Sequence, residues 1–191
     1  MASTMDRREA IKTVSMLLGG TFAAGSGLLG AVERAHARAA NPLQQVGAFT
    51  AQDIALLDEV ADTILPETKT PGAKAAHVGA FMALMVTDTY DNRQQGVFRD
   101  GMKQLAGFME LPAAQRLARL EQLDREAKAY MDARAQDAPP HFFRLMKELT
   151  LLGYFTSEIG CTQAQRYRET PSRFDPCEPY TPGETAWAAH A

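Results

Sequence analysis

The side chains equipped for chemistry are few and scattered. Asp58, Glu59 and Asp62 fall within about one turn of each other if their segment is helical, and neighbouring carboxylates are the raw material of acid–base catalysis. Glu148 and Glu158 flank an apolar stretch, and Asp88, Tyr90 and Asp91 close another. None of these groups comes with a nucleophile or a metal-ligand set. They read instead as caps, ion pairs and, for the 58–62 cluster, a solvated helix face. Ser157 lacks the glycine-flanked setting of a nucleophile elbow. His77, His141 and His190 are far apart and no His-Glu-x-x-His occurs, which argues against a three-histidine metal site. The absence of Cys-x-x-Cys and Cys-x-x-Cys-His removes iron–sulfur ligation and c-type haem attachment. The glycines at 19, 20, 25, 27 and 30 sit in an apolar N-terminal stretch rather than after a strand, so they make no phosphate loop. No catalytic, cofactor-binding or metal motif is left in this chain.

That N-terminal stretch has a different character. Arg7 and Arg8 are followed by an apolar residue and Lys12, the arrangement of a twin-arginine signal. A glycine- and alanine-rich run from Val14 to Val32 comes next, then Ala35-His36-Ala37 and Ala37-Arg38-Ala39, both small-x-small cleavage patterns. With five glycines the run is weakly apolar, which suits export better than a stable membrane span. Residues 1–39 are therefore read as a twin-arginine signal peptide, and the periplasm as the destination. A retained signal would add membrane association. Twin-arginine cargo travels folded, commonly with a cofactor or with a partner that holds one. Since this chain has no cofactor motif, the signal can serve a partner as well as itself.

Removing the first 39 residues leaves 15 basic against 20 acidic side chains. A mildly acidic remainder without a basic stripe argues against nucleic-acid binding. Its length suits one domain able to bury a core unaided. At 46% hydrophobic and 23% charged residues, the chain has globular proportions. Cys161 and Cys177 are the two cysteines. In an oxidising compartment they can close a loop of roughly 15 residues, worth about 3 kcal/mol in the chain-entropy model. Two unpaired or partner-facing thiols is the other reading.

Apolar spacing predicts an all-α domain of about five helices over 50–169, after a linker at 40–49. Thr50 and Asp53 form a near capping box ahead of Ile54, Leu57, Val60, Ala61, Ile64 and Leu65, and Pro66 stops that helix. Further helices are expected at about 73–90, 92–109 and 112–135, with Pro139-Pro140 as the next break. The fifth, about 140–159, carries Phe142, Phe143, Leu145, Met146, Leu149, Leu151, Leu152, Tyr154, Phe155 and Ile159 around almost its whole circumference, with Gly160 as its C-cap. Such a helix is the centre of the bundle or is shared with a partner. The tail, 170–191, has proline, glycine and Phe174, Tyr180 and Trp187; it is too aromatic for a plain disordered tail and is expected to lie on a surface. Phe142, Phe143, Tyr154, Phe155, Phe174, Tyr180 and Trp187 are the expected partner interface. The methionines of helices two to five are core filler or an adaptable contact surface.

Certain strings carry a resemblance. Ala61-Asp62-Thr63-Ile64-Leu65-Pro66-Glu67-Thr68, Thr70-Pro71-Gly72-Ala73, and Phe142-Phe143-Arg144-Leu145-Met146-Lys147-Glu148-Leu149-Thr150 running on to Gly160 resemble the gluconate 2-dehydrogenase subunit 3 family. Asp175-Pro176-Cys177 and Trp187 fit its ending. The resemblance implies a small subunit without catalytic residues. Its partner would be an FAD-dependent sugar dehydrogenase of the glucose–methanol–choline oxidoreductase type, with a cytochrome c, and hence haem c, in a further subunit. The small subunit would export the partner by hitch-hiking on its signal and support its folding. The fifth-helix string is most similar to small subunits of glucoside 3-dehydrogenases. The competing reading is a stand-alone periplasmic helical binding protein, which needs an apolar pocket within this chain.

Overall fold

The computed structural model describes residues 30–39, 46–170, 177, 179 and 181–188. Arg7, Arg8, Lys12, Phe174 and Tyr180 lie outside them. Among the described residues the protein is all-α, with isolated bridges but no strand. The helices are α1 (30–39), α2 (Ala51–Ile64), α3 (Val78–Thr89), α4 (Asn92–Lys103), α5 (Ala113–Ala133) and α6 (Phe142–Phe155), followed by a π-helical turn at Gly160–Ala164.

Local chemistry sets several of these boundaries. Thr50 Oγ1 accepts from the Asp53 amide at 3.2 Å, and Asp53 Oδ2 accepts from the Thr50 amide at 2.8 Å, so α2 opens on a true capping box. Its buried face is Leu57, Val60 and Ala61. Asp91 and Gln94 repeat the device at the start of α4. Residues 46–49, expected as linker, form a tight turn that buries Val46 and Phe49, and Phe49 meets the Phe98 ring edge-on at 6.2 Å.

α3 starts five residues later than its apolar spacing predicts. The Ala73 amide donates to the Leu65 carbonyl at 2.9 Å and the Lys74 amide to Asp62 Oδ1 at 3.3 Å. The segment is thereby tied to the end of α2 instead of coiling. His77 then takes a left-handed conformation at φ 53°, uncommon for a residue with a Cβ. The first free amides of α3 are met from outside, with Gly79 donating to Asp58 Oδ1 at 2.8 Å. α4 stops at Lys103, and residues 104–110 continue as turns that still bury Leu105 and Phe108.

α6 is the centre of the bundle, packing on α2, α3, α4 and α5. Phe142, Phe143, Leu145, Met146 and Leu149 are buried on it, as are Phe81, Met82, Leu84, Met85 and Val86 on α3. Each such side chain contributes about 1.5–3 kcal/mol on burial. A Cβ on Gly153 would stand 2.6 Å from the Phe81 ring, so only glycine lets α3 and α6 approach so closely. Gly160 does not cap α6, which ends at Phe155 with Thr156 as its C-cap. Gly160 opens the π-helical turn, where a Cβ would lie 1.8 Å from the Tyr154 carbonyl oxygen. The methionines divide: Met82, Met85 and Met146 are core, and Met109 is exposed.

Candidate partner-binding face

Three of the expected interface residues prove to be interior. Phe142 and Phe143 are buried at the start of α6, and Tyr154 is buried near its end, where its hydroxyl donates to the Pro71 carbonyl at 2.7 Å. Their apolar surface is consumed by the chain's own bundle, because α6 sits at the centre and not at one side. Tyr154 instead locks the 66–72 loop in place.

The outer face of α6 is polar at Arg144 and Glu148 and turns apolar toward its C-terminal end. Leu151 is 39% exposed and Phe155, one turn on, is 38% exposed. The π-helical turn packs on α6, and Arg166 just beyond it anchors the tail. The Arg166 amide donates to the Ala186 carbonyl and the Ala188 amide to the Arg166 carbonyl, each at 2.8 Å. The Arg166 guanidinium lies 4.5 Å from the centre of the Trp187 ring and pairs with Glu184 at 3.4 Å. Trp187 is thus held in place yet stays 46% exposed, and Tyr167 beside the anchor is exposed as well. Gln165 Oε1 and Arg166 Nε are buried without a hydrogen-bond partner among the described residues. Buried polar atoms in that condition cost free energy that a bound partner or water recovers.

Beside this face lies a cleft of about 720 Å³ walled by α1, residues 75–77 and the segment 156–167. Val32, His36, Ala76, His77, Ile159 and Tyr167 line it. The His36 ring stacks on Phe81 with centroids 4.5 Å apart, and its Nε2 is 2.9 Å from Thr156 Oγ1. The Thr156 hydroxyl donates to the Leu152 carbonyl at 2.6 Å. It is therefore the acceptor toward His36, whose proton sits on Nε2. Burial holds the His36 pKa down to about 4, so the ring is neutral near pH 7.

The cleft shows no nucleophile–base couple. Ser157 Oγ is spent on the Tyr154 carbonyl at 2.7 Å and the Gly160 amide at 3.0 Å. Among the described residues, no three of His, Cys, Asp and Glu are grouped to hold a metal ion, and no helix is long and apolar enough to cross a membrane.

The Asp58–Glu59–Asp62 cluster is not the solvated face its sequence suggests. Asp58 is half-buried against α3, and burial raises its pKa above the usual carboxylate range. Glu59 pairs with Lys74 and, at 2.5 Å, with Arg116 of α5. The Lys74 ammonium hydrogen-bonded to it draws the Glu59 pKa below the ordinary value. These acids fasten α2 to its neighbours because the 66–77 loop folds back over them, which no local pattern signals. Cys161 is buried in the π-helical turn, its sulfur 3.3 Å from the Phe155 carbonyl oxygen, and Cys177 lies exposed in the tail. The helix α1, the cleft and the π-helical turn went unread in the sequence. Val32, Ala35 and Ala39 have helical spacing, but they stand where small residues also serve a leader's end.

Residues 51–171, from the first residue of α2 to just past the tail's anchor, match the family described as gluconate 2-dehydrogenase subunit 3. No curated protein and no solved structure matches the chain.

Proposed function

Because the chain belongs to the gluconate 2-dehydrogenase subunit 3 family, whose members partner a dehydrogenase catalytic subunit, we propose that it is the non-catalytic small subunit of a periplasmic sugar dehydrogenase. The catalytic subunit is an FAD enzyme of the glucose–methanol–choline oxidoreductase type that oxidises glucosides at C3. A cytochrome c subunit takes the electrons. The twin-arginine signal with Arg7, Arg8 and Lys12 carries both subunits out together, and the small subunit supports the folding of the large one. The observation that carries this reading is the fixed but uncovered aromatic surface at the end of α6 and the tail. Trp187 is anchored by Arg166 yet exposed, and Leu151 and Phe155 are exposed on α6, while Met109, Leu117 and Tyr130 are exposed singly elsewhere. Ordered, exposed aromatic and aliphatic groups of this kind mark protein contact sites.

The test is co-expression with the flavoprotein. Tagged small subunit should bring down a protein with flavin absorbance, and R7K/R8K should keep both chains in the cytoplasm. A flavoprotein that reaches the periplasm in normal amount with the R7K/R8K chain ends the export reading; failure of any flavoprotein to co-purify ends the subunit reading. The cleft favours a second reading, a stand-alone binding protein for an apolar ligand. A monodisperse monomer that retains such a ligand through purification, with no partner, would select it.

A further inference from the structure

The two cleavage patterns at the end of the leader lie within α1. An A-x-A site is recognised through both small residues, presented together on accessible chain. Here Ala35 is 4% exposed and Ala39 is 7% exposed, while Ala37 faces solvent. Each pattern therefore has one of its two small residues packed against the bundle. The residues between them are engaged too. His36 stacks on Phe81 and bonds to Thr156, and Arg38 Nη1 pairs with Asp88 Oδ2 at 2.7 Å. Val32, one turn earlier, is buried in the same core cluster.

Cutting after Ala37 or Ala39 would release Val32, Ala35 and His36 from the fold. Phe81 would lose its covering ring and the 720 Å³ cleft would lose a wall. α1 is thus part of the bundle and not spacer ahead of it.

We propose that docked α1 closes both patterns to the leader-removing peptidase, so that a chain folded before export keeps residues 30–39. This rests on the export reading above, since twin-arginine cargo is folded when it reaches the membrane. Processing then requires α1 to leave its groove, unwind and expose Ala35 or Ala39. Folding and processing compete for the same ten residues, and folding comes first.

The experiment uses purified full-length chain made in the cytoplasm, treated with purified bacterial leader peptidase, with cleavage followed by intact mass. A synthetic peptide of residues 30–45 serves as the undocked reference. V32D lies outside both small-x-small patterns and places a charge in the groove, and H36A removes the Phe81 stack and the Thr156 bond while leaving the small residues intact. The peptide and V32D should be cut after Ala37 or Ala39, with H36A intermediate. The folded wild-type chain should be cut at least about tenfold more slowly, as protease access through a rare open state requires. Wild type cut as fast as the peptide overturns the proposal, and so does a peptide that is not cut at all. If V32D does not fold, the ratio between H36A and wild type decides by itself. Normal export in the R7K/R8K comparison, which would end the export reading, leaves the cleavage ratio untouched, so the two readings fail separately.

Discussion

α3 and α6 are both apolar around most of their circumference, yet they end differently. Every residue from Val78 to Val86 of α3 is buried apart from the half-buried Ala80. On α6 the apolar residues from Phe142 to Leu149 are buried while Arg144 and Glu148 face outward, and the outer face then turns apolar at Leu151 and Phe155, ahead of the π-helical turn. An apolar helix in a small bundle is covered only where neighbours reach it. α3 packs on α2, α4 and α6, and α6 packs on α2, α3, α4 and α5, which leaves Leu151 and Phe155 on its outer face uncovered. Apolarity alone marks a helix as central; where it remains uncovered is what marks a contact site.

The sealed region should show the largest response to truncation. F81A removes the ring that meets both Gly153 and His36. It should cost about 3–5 kcal/mol of stability, read by urea denaturation of the isolated subunit. A cost below about 1 kcal/mol would mean that α3 is less tightly enclosed than described.

The open region should behave in the opposite way. F155A and W187A should each leave the melting temperature of the isolated subunit within a degree or two of wild type. Each should weaken the catalytic subunit's hold by about 2 kcal/mol, roughly thirtyfold in Kd. F142A, by contrast, should lower the melting temperature first and affect binding only through that. If W187A destabilises the isolated subunit as F142A does, the tail covers the bundle and is not a docking element.

α1 meets α3 and the end of α6, with His36 stacked on Phe81 and bonded to Thr156, and there the effect is smaller and depends on pH. Undocked His36 titrates near 6.5 and docked His36 near 4, so the undocked state binds more protons between those values. Docking of α1 is therefore fully favoured above pH 6.5 and weakens as pH falls toward 4. Glu33 and Arg38 on its own helix, His77, Glu158 and Tyr167 around the cleft, and Asp88 paired to Arg38 are the ionisable neighbours, but burial is the cause of the shift. Hydrogen exchange at 30–39, corrected for intrinsic rates, should be faster at pH 5 than at pH 7. H36F, which keeps an aromatic ring for the stack and cannot titrate, should flatten the difference.

Five helices between residues 50 and 160 were legible because their apolar residues repeat at helical spacing and their caps are local. Thr50 with Asp53 is readable over one turn, and so is Pro66. Long-range contacts were not legible. Phe142, Phe143 and Tyr154 looked like surplus surface because nothing in the sequence says that four helices converge on α6. The acids at 58–62 looked solvated because their partners, Gly79, Lys74 and Arg116, arrive from a loop and from two other helices. The exposure of Trp187 fits the expectation that the tail lies on a surface, but its anchor on Arg166 was not legible, since about twenty residues of sequence separate them. α1 was hidden because weakly apolar, alanine-rich sequence fits a leader's end and a docked helix equally well.

The central claim is that the end of α6 and the anchored tail are where the catalytic subunit binds. Hydrogen exchange of the subunit alone and in complex with its flavoprotein tests it most directly. Added protection is expected at residues 151–155, 165–168 and 186–188, with 78–86 unchanged because that stretch of α3 is already buried. Protection appearing instead on α4 and α5, with the end of α6 and the tail exchanging as fast as in the free subunit, would contradict it.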